Sequence, residues 1–104
     1  TDEIKLVSVM EGESVTLNTD VTVIRRNKIL WKFGDQGVLI ALLDANVISL
    51  FNGTDGSFRD RLQLDNQTGS LTIRNTRTTN SGLYELNIKG GPEDRVKKFN
   101  VTVY

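Results

Sequence analysis

The 104-residue chain contains no cysteine, no histidine and only one proline. Without an imidazole or a thiolate, the commonest general base, the thiol nucleophile and the ordinary zinc cluster cannot be built. Most hydrolase and metalloenzyme mechanisms are excluded on that ground. The lack of cysteine is also typical of a reducing compartment, because small secreted domains tend to be rich in disulfides.

An excess of charge and a long apolar run are absent as well. Thirteen basic residues balance thirteen acidic ones, so we expect no general attraction to nucleic acid or to an anionic membrane surface. No stretch approaches the roughly 18 apolar residues of a membrane span, and we do not expect the first residues to act as a signal peptide, because they lack its basic and apolar pattern. Asp55, Asp60 and Asp65 lie in turn-like sequence with no acid and base spacing. We therefore predict neither catalysis nor a metal or cofactor.

Short segments of alternating apolar and polar residues, separated by turn sequences, run through the whole chain. This period of two predicts β-strands, and no segment sustains the period of an amphipathic helix. The sequence predicts an all-β, two-sheet sandwich formed by one domain over residues 1–104. The expected strands are Ile4–Met10, Ser14–Thr19, Lys28–Phe33, Val38–Leu43, Val47–Phe51, Arg61–Leu64, Ser70–Arg74, Gly82–Lys89 and Val96–Tyr104.

The order of residues within these strands is specific. The chain reads Gly12-x-x-Val15-x-Leu17-x-Thr19, Leu30-Trp31-Lys32-Phe33, Arg61-Leu62-x-Leu64-Asp65, Leu71-x-Ile73 and Asn80-Ser81-Gly82-Leu83-Tyr84-Glu85-Leu86. It resembles an immunoglobulin variable-type domain, which has two antiparallel sheets of about nine strands. The resemblance implies that Trp31 packs in the core and that Tyr84 forms the tyrosine corner of that family.

The chain departs from the family pattern at three places. Thr19 and Leu86 stand where the resemblance places the two cysteines of the inter-sheet disulfide, so its typical stabilisation of about 2–4 kcal/mol is missing. A buried Thr19 hydroxyl then needs a hydrogen-bond partner. At the two positions that form an Arg–Asp ion pair in the family, this chain has Arg61 and Asn80. These two side chains can form at best a hydrogen bond.

Two stretches resemble one subgroup of variable-type domains that lack the disulfide. The block from Phe58 to Ile73 and the ending Phe99-Asn100-Val101-Thr102-Val103 are similar to the N-terminal domains of lymphocyte adhesion and signalling receptors of the SLAM family. The final strand also lacks the Gly-x-Gly bulge through which antigen-receptor domains pair.

Three Asn-x-Ser/Thr glycosylation sequons begin at Asn52, Asn66 and Asn100. Such sequons are used only in the secretory pathway, so they favour an extracellular protein and oppose the indication from the missing cysteines. Asn52 and Asn66 fall in predicted loops. Asn100 lies between two core positions and is expected to point outward.

Alternation along the strands, phased by Trp31 and Tyr84, predicts which residues form one exposed sheet face. The segment Val38–Leu43 is apolar on both faces, and taking Ile40 and Leu42 as inward leaves an apolar patch outside. The alternative is that the strand Val47–Phe51 or a neighbouring domain covers it. The predicted partner-binding residues are Lys28, Leu30, Lys32, Leu39, Ala41, Leu43, Glu85, Asn87, Lys89, Glu93, Asp94 and Lys98.

The sequence thus predicts a cell-surface recognition module without chemistry, anchored through some other part of the protein. The resemblance implies that its partner is another immunoglobulin-superfamily ectodomain. A second copy of the chain is permitted as that partner, because a face of mixed charge can be self-complementary across a two-fold axis. A glycan on Asn100 would shift contact toward Lys32, Ala41, Lys89 and the loop from Gly90 to Asp94. The alternatives are an intracellular structural immunoglobulin module and an antigen-receptor-like variable chain.

Overall fold

The computed structural model of the chain describes residues 3–19, 28–90 and 94–104. These residues form nine strands and a single 3-10 turn, η1, at Thr78–Asn80. The strands are β1 Ile4–Val9, β2 Val15–Leu17, β3 Lys28–Phe33, β4 Val38–Asp44, β5 Val47–Leu50, β6 Leu62–Leu64, β7 Leu71–Ile73, β8 Gly82–Lys89 and β9 Arg95–Val103. Each predicted strand is present, with ends that differ by at most two residues.

The strands form two sheets of unequal width. The larger sheet has the order β1-β9-β8-β3-β4-β5, and the smaller has the order β2-β7-β6. β1 pairs with β9 in parallel, whereas the other pairs are antiparallel. The predicted all-β sandwich is confirmed. Within the described residues no helix is long and apolar enough to cross a membrane.

The core lies between the sheets and is centred on aromatic side chains. Trp31 and Tyr84 are both 0% exposed, as predicted. The Trp31 ring lies 5.6 Å from that of Phe99, and Phe33 lies 4.8 Å from Tyr84 and 5.0 Å from Phe58. These centroid distances suit offset and edge-on packing, which adds about 0.5–1.5 kcal/mol per pair beyond area burial.

Hydrogen bonds occupy the place where the family pattern has a disulfide. Thr19 and Leu86 are both 0% exposed, and the Thr19 hydroxyl donates to the carbonyl oxygen of Thr68 at 2.7 Å. The indole Nε1 of Trp31 donates to the carbonyl oxygen of Gly69 at 2.8 Å. The β6–β7 connection therefore closes over the indole, and the Thr19 hydroxyl has the partner that its burial requires.

The tyrosine corner is present, but the expected pairing of Arg61 with Asn80 is replaced. The Tyr84 hydroxyl donates to the Asn80 carbonyl oxygen, and burial raises the pKa of the Tyr84 phenol above its usual value. The Asn80 side chain donates to the carbonyl oxygen of Ser57 at 3.1 Å, and the Arg61 guanidinium donates to that of Asn75. A neutral amide does not attract a guanidinium as a carboxylate does, so each side chain bonds a nearby backbone carbonyl.

Candidate functional site: the outer face of the six-stranded sheet

The side of the larger sheet that points away from the smaller sheet is called the outer face here. Its centre consists of Lys28, Leu30 and Lys32 on β3 and of Leu83, Glu85, Asn87 and Lys89 on β8. Because Ile29, Trp31, Leu86 and Ile88 between them are buried, alternation leaves these residues outside. The register pairs Lys32 with Glu85, Leu30 with Asn87, and Lys28 with Lys89.

Charges of opposite sign alternate across three neighbouring strands. Glu85 on β8 is opposite Lys32 on β3 and opposite Lys98 on β9. Its carboxylate also accepts a hydrogen bond from the Asn87 amide at 3.0 Å, which holds it in place. The row Lys32–Glu85–Lys98 therefore presents a carboxylate between two ammonium groups, all three half-buried.

The β4 residues on this face differ from those predicted. Ala41 and Leu43 were expected outside, but they are 0% and 2% exposed and belong to the core. A register shift between Trp31 and Lys32 pairs Trp31 with Ala41 and Lys32 with Leu39, so Ile40 is an extra residue in β4. Such a β-bulge reverses the alternation beyond it, which turns Ala41 and Leu43 inward.

The bulge moves the apolar patch without abolishing it. Leu42 pairs with Leu30, and Leu39 pairs with Lys32, and all three leucines are half-buried. β5 lies beside β4 in the same sheet, where Ser49 pairs with Leu42. The patch of Leu30, Leu39 and Leu42 therefore borders the charged row, and β5 continues the sheet beside it.

The turn between β3 and β4 adds residues that sequence reasoning missed. A shallow depression beside the charged row is lined by Lys32, Gly34, Asp35, Gln36, Gly37, Leu83, Glu85 and Lys98. Gly37 has a φ of +64°, and a Cβ there would lie 3.7 Å from Cδ of Lys32. The Lys32 stem thus lies beside Gly37, and exposed Asp35 and Gln36 line the same depression. The four-residue stretch Gly34-Asp35-Gln36-Gly37 signalled a turn but not its position beside the charges.

The other end of the outer face is separate from this depression. The Lys28 ammonium lies 3.9 Å from the Asp44 carboxylate, and exposed Lys89 pairs with Lys28. Lys89 follows Glu85 by four residues on one strand, or about 13 Å. Lys32 and Lys89 are thus not brought together. Asp94 is exposed, whereas Glu93 lies outside the described residues.

The three sequon asparagines are exposed at three different places. Asn52 follows the edge strand β5, and Asn66 lies in the β6–β7 connection of the smaller sheet. Asn100 lies on the outer face, where it pairs with Leu83 on β8 and with Leu6 on β1. Asn100 is therefore one row away from the Lys32–Glu85–Lys98 row.

Comparison with known proteins places these features in context. The immunoglobulin V-set domain profile matches residues 3–104, and a search of the curated proteins finds no match. The first immunoglobulin-like domain of human CD48 antigen aligns with a TM-score of 0.82 and 20% identity, covering 99% of this chain and 84% of that one. CD84, described with the SLAM family, aligns with a TM-score of 0.80 and 22% identity, covering 98% of each chain.

A third similar structure is the CD2-binding domain of CD58. It aligns with a TM-score of 0.76 and 24% identity, covering 97% of this chain and 54% of that one. At these identities the likeness concerns the fold.

Proposed function

The chain belongs to the immunoglobulin V-set family, and from that premise we propose that it is a cell-surface recognition module. It binds another immunoglobulin-superfamily ectodomain through the outer face, without catalysis. The observation that carries this proposal is the charged row Lys32–Glu85–Lys98 bordered by the half-buried Leu30, Leu39 and Leu42. Apolar side chains surrounded by charges of both signs are typical of transient protein interfaces.

The order of charges favours self-recognition as one form of this binding. A two-fold axis through the outer face can place Lys32 of one copy against Glu85 of the other, and the same contact then forms twice. Among the similar solved structures, CD58 is described by its CD2-binding domain, and CD84 is described with the SLAM family. We therefore propose either a second copy or a related ectodomain as the partner.

Asn100 limits how much of the face is used. A glycan there would stand beside Leu83 and one row from Glu85, because its side chain is exposed on the same face. We propose that the footprint extends from the charged row toward Leu30 and Leu42. It extends away from Asn100 and from the depression beside the β3–β4 turn, because Leu83, which pairs with Asn100, lines that depression.

Charge reversal tests the proposed face. Lys32→Glu and Glu85→Lys should each weaken self-association or receptor binding at least about tenfold, because like charges are then opposed. For a two-fold contact, mixing the two variants should restore binding, since each reversed charge meets its complement. Sedimentation velocity and surface binding of the ectodomain measure both effects.

Arg59→Glu is the matched control, because exposed Arg59 lies on the segment between β5 and β6 and undergoes the same change of charge. Equal binding by the parent, Lys32→Glu and Glu85→Lys would contradict the proposed face. Expression in animal cells tests the location independently. Glycans on the sequons support an extracellular domain, whereas their complete absence would favour the intracellular structural module.

A further inference from the structure

The edge strand β5 exposes an unusually apolar surface. Val47, Ile48, Leu50 and Phe51 are 63%, 39%, 45% and 41% exposed, respectively. Ser49 is the only polar residue among them. An exposed apolar edge strand is a ready template for pairing with another chain, and proteins usually protect such edges with charges, proline or a covering segment.

The unequal widths of the two sheets explain this exposure. Ile48 pairs with buried Leu43, and Leu50 pairs with buried Ala41, so both point toward the side of the smaller sheet. That sheet has three strands and ends at β6. β5 is last in the order of the six-stranded sheet, and at this edge Ile48 and Leu50 remain 39% and 45% exposed.

The opposite edge of the same sheet is protected differently. β1 exposes Ile4 and Leu6, but the exposed Lys5 lies between them. A lysine on an edge strand opposes pairing with a second copy because its charge would have to be buried or repelled. β5 contains no charged residue, so it lacks this protection.

The sequon Asn52-Gly53-Thr54 begins two residues after Leu50, and Asn52 and Thr54 are exposed. The turn is held in place, because the Asn52 carbonyl oxygen accepts a hydrogen bond from the Phe58 backbone amide at 3.3 Å. Gly53 has a φ of +76°, and a Cβ there would lie 2.9 Å from Cδ2 of the buried Phe58. The direction in which Asn52 leaves the β5 end is thus constrained.

We propose that an N-linked oligosaccharide on Asn52 covers the β5 edge and prevents it from pairing with a second copy of the chain. A glycan is bulky and strongly hydrated, and its attachment directly beyond Phe51 places it beside both the exposed apolar side chains and the free backbone groups. This inference rests on the proposed function, because only an exported chain is glycosylated.

The test compares glycan losses at two sites in protein expressed in animal cells. All variants carry Lys32→Glu, which removes association through the outer face. Asn52→Gln and Thr54→Ala should self-associate at least about tenfold more tightly than Asn66→Gln in sedimentation velocity. Asn66→Gln loses one glycan on the β6–β7 connection of the smaller sheet, and Thr54→Ser keeps the sequon, so both should behave as the parent.

A second variant identifies the surface responsible. Leu50→Lys in the Asn52→Gln background should restore the monomer, because it puts a charge on the edge. If mass spectrometry finds Asn52 glycosylated in the parent, and Asn52→Gln and Thr54→Ala are both as monomeric as Asn66→Gln, the inference is overturned. Lack of a glycan at Asn52 alone also overturns it, whereas lack at all three sequons contradicts the proposed extracellular function as well.

Discussion

The centre of the sandwich and its margin, formed by residues 45–51 of the β4–β5 turn and the edge strand β5, are both rich in apolar residues. They differ in what surrounds them. At the centre, Trp31, Thr19 and Tyr84 are 0% exposed, and each has a hydrogen bond for its polar group. At the margin, Val47 and Leu50 are 63% and 45% exposed. The difference teaches that apolar content alone does not bury a strand: a second layer must lie across it.

The same contrast extends to backbone conformation. The β4–β5 hairpin turns through Ala45 and Asn46, with φ values of +51° and +66°. Left-handed conformations at both central residues define the turn that suits a two-residue hairpin, but alanine is poorly suited to the first position. The turn that precedes β5 therefore has an unfavourable backbone conformation at Ala45.

The largest expected effect comes from deleting the indole. Trp31→Ala should lower the free energy of unfolding by about 3–5 kcal/mol, because it removes a fully buried ring and the bond to Gly69. Leu30→Ala, at the preceding residue of the same strand, should lower the free energy of unfolding much less, because its half-buried side chain faces outward. Urea unfolding measures both. If the two variants lowered the free energy of unfolding by similar amounts, the inward and outward faces of β3 would not differ in their contribution to stability as we expect.

A smaller effect is expected where the disulfide is missing. Thr19→Val keeps the shape of the side chain but leaves the Thr68 carbonyl oxygen without its hydroxyl donor, at a cost of about 1–3 kcal/mol. Thr19→Ser keeps the hydroxyl and should lower the free energy of unfolding less than Thr19→Val does. If thermal and urea unfolding found Thr19→Val as stable as the parent, the hydrogen bonds over Trp31 would not be what stabilises this end of the core.

The smallest effect should be a gain at the margin. Ala45→Gly should raise the free energy of unfolding by about 0.5–1 kcal/mol, because glycine adopts positive φ without a steric penalty. Gly53→Ala provides the opposite case. Its Cβ would lie 2.9 Å from Phe58, so this variant should lower the free energy of unfolding. A loss of stability in Ala45→Gly would show that the turn is not under local strain.

Alternation correctly predicted which residues of β3, β8 and β9 point outward. Trp31 and Tyr84, from which the alternation was counted, lie where β3 pairs with β8 without a register shift. It failed on β4, where Ile40 and Ala41 are consecutive buried residues. The unbroken apolar run Val38–Leu43 was the available signal for the bulge. Its position depended on how β4 pairs with β3, which alternation within one strand does not contain.

The sequence by itself determined the two-sheet sandwich and the exposed sequons, because these follow from local period and turn residues, and its resemblance to variable-type domains indicated the core positions of Trp31 and Tyr84. Only the tertiary structure decided which leucines reach the outer face, which group accepts a hydrogen bond from Thr19 and that β5 is an edge strand with exposed apolar side chains. Those features depend on the register between strands and on the relative widths of two layers, and both arise from contacts between segments distant in the chain.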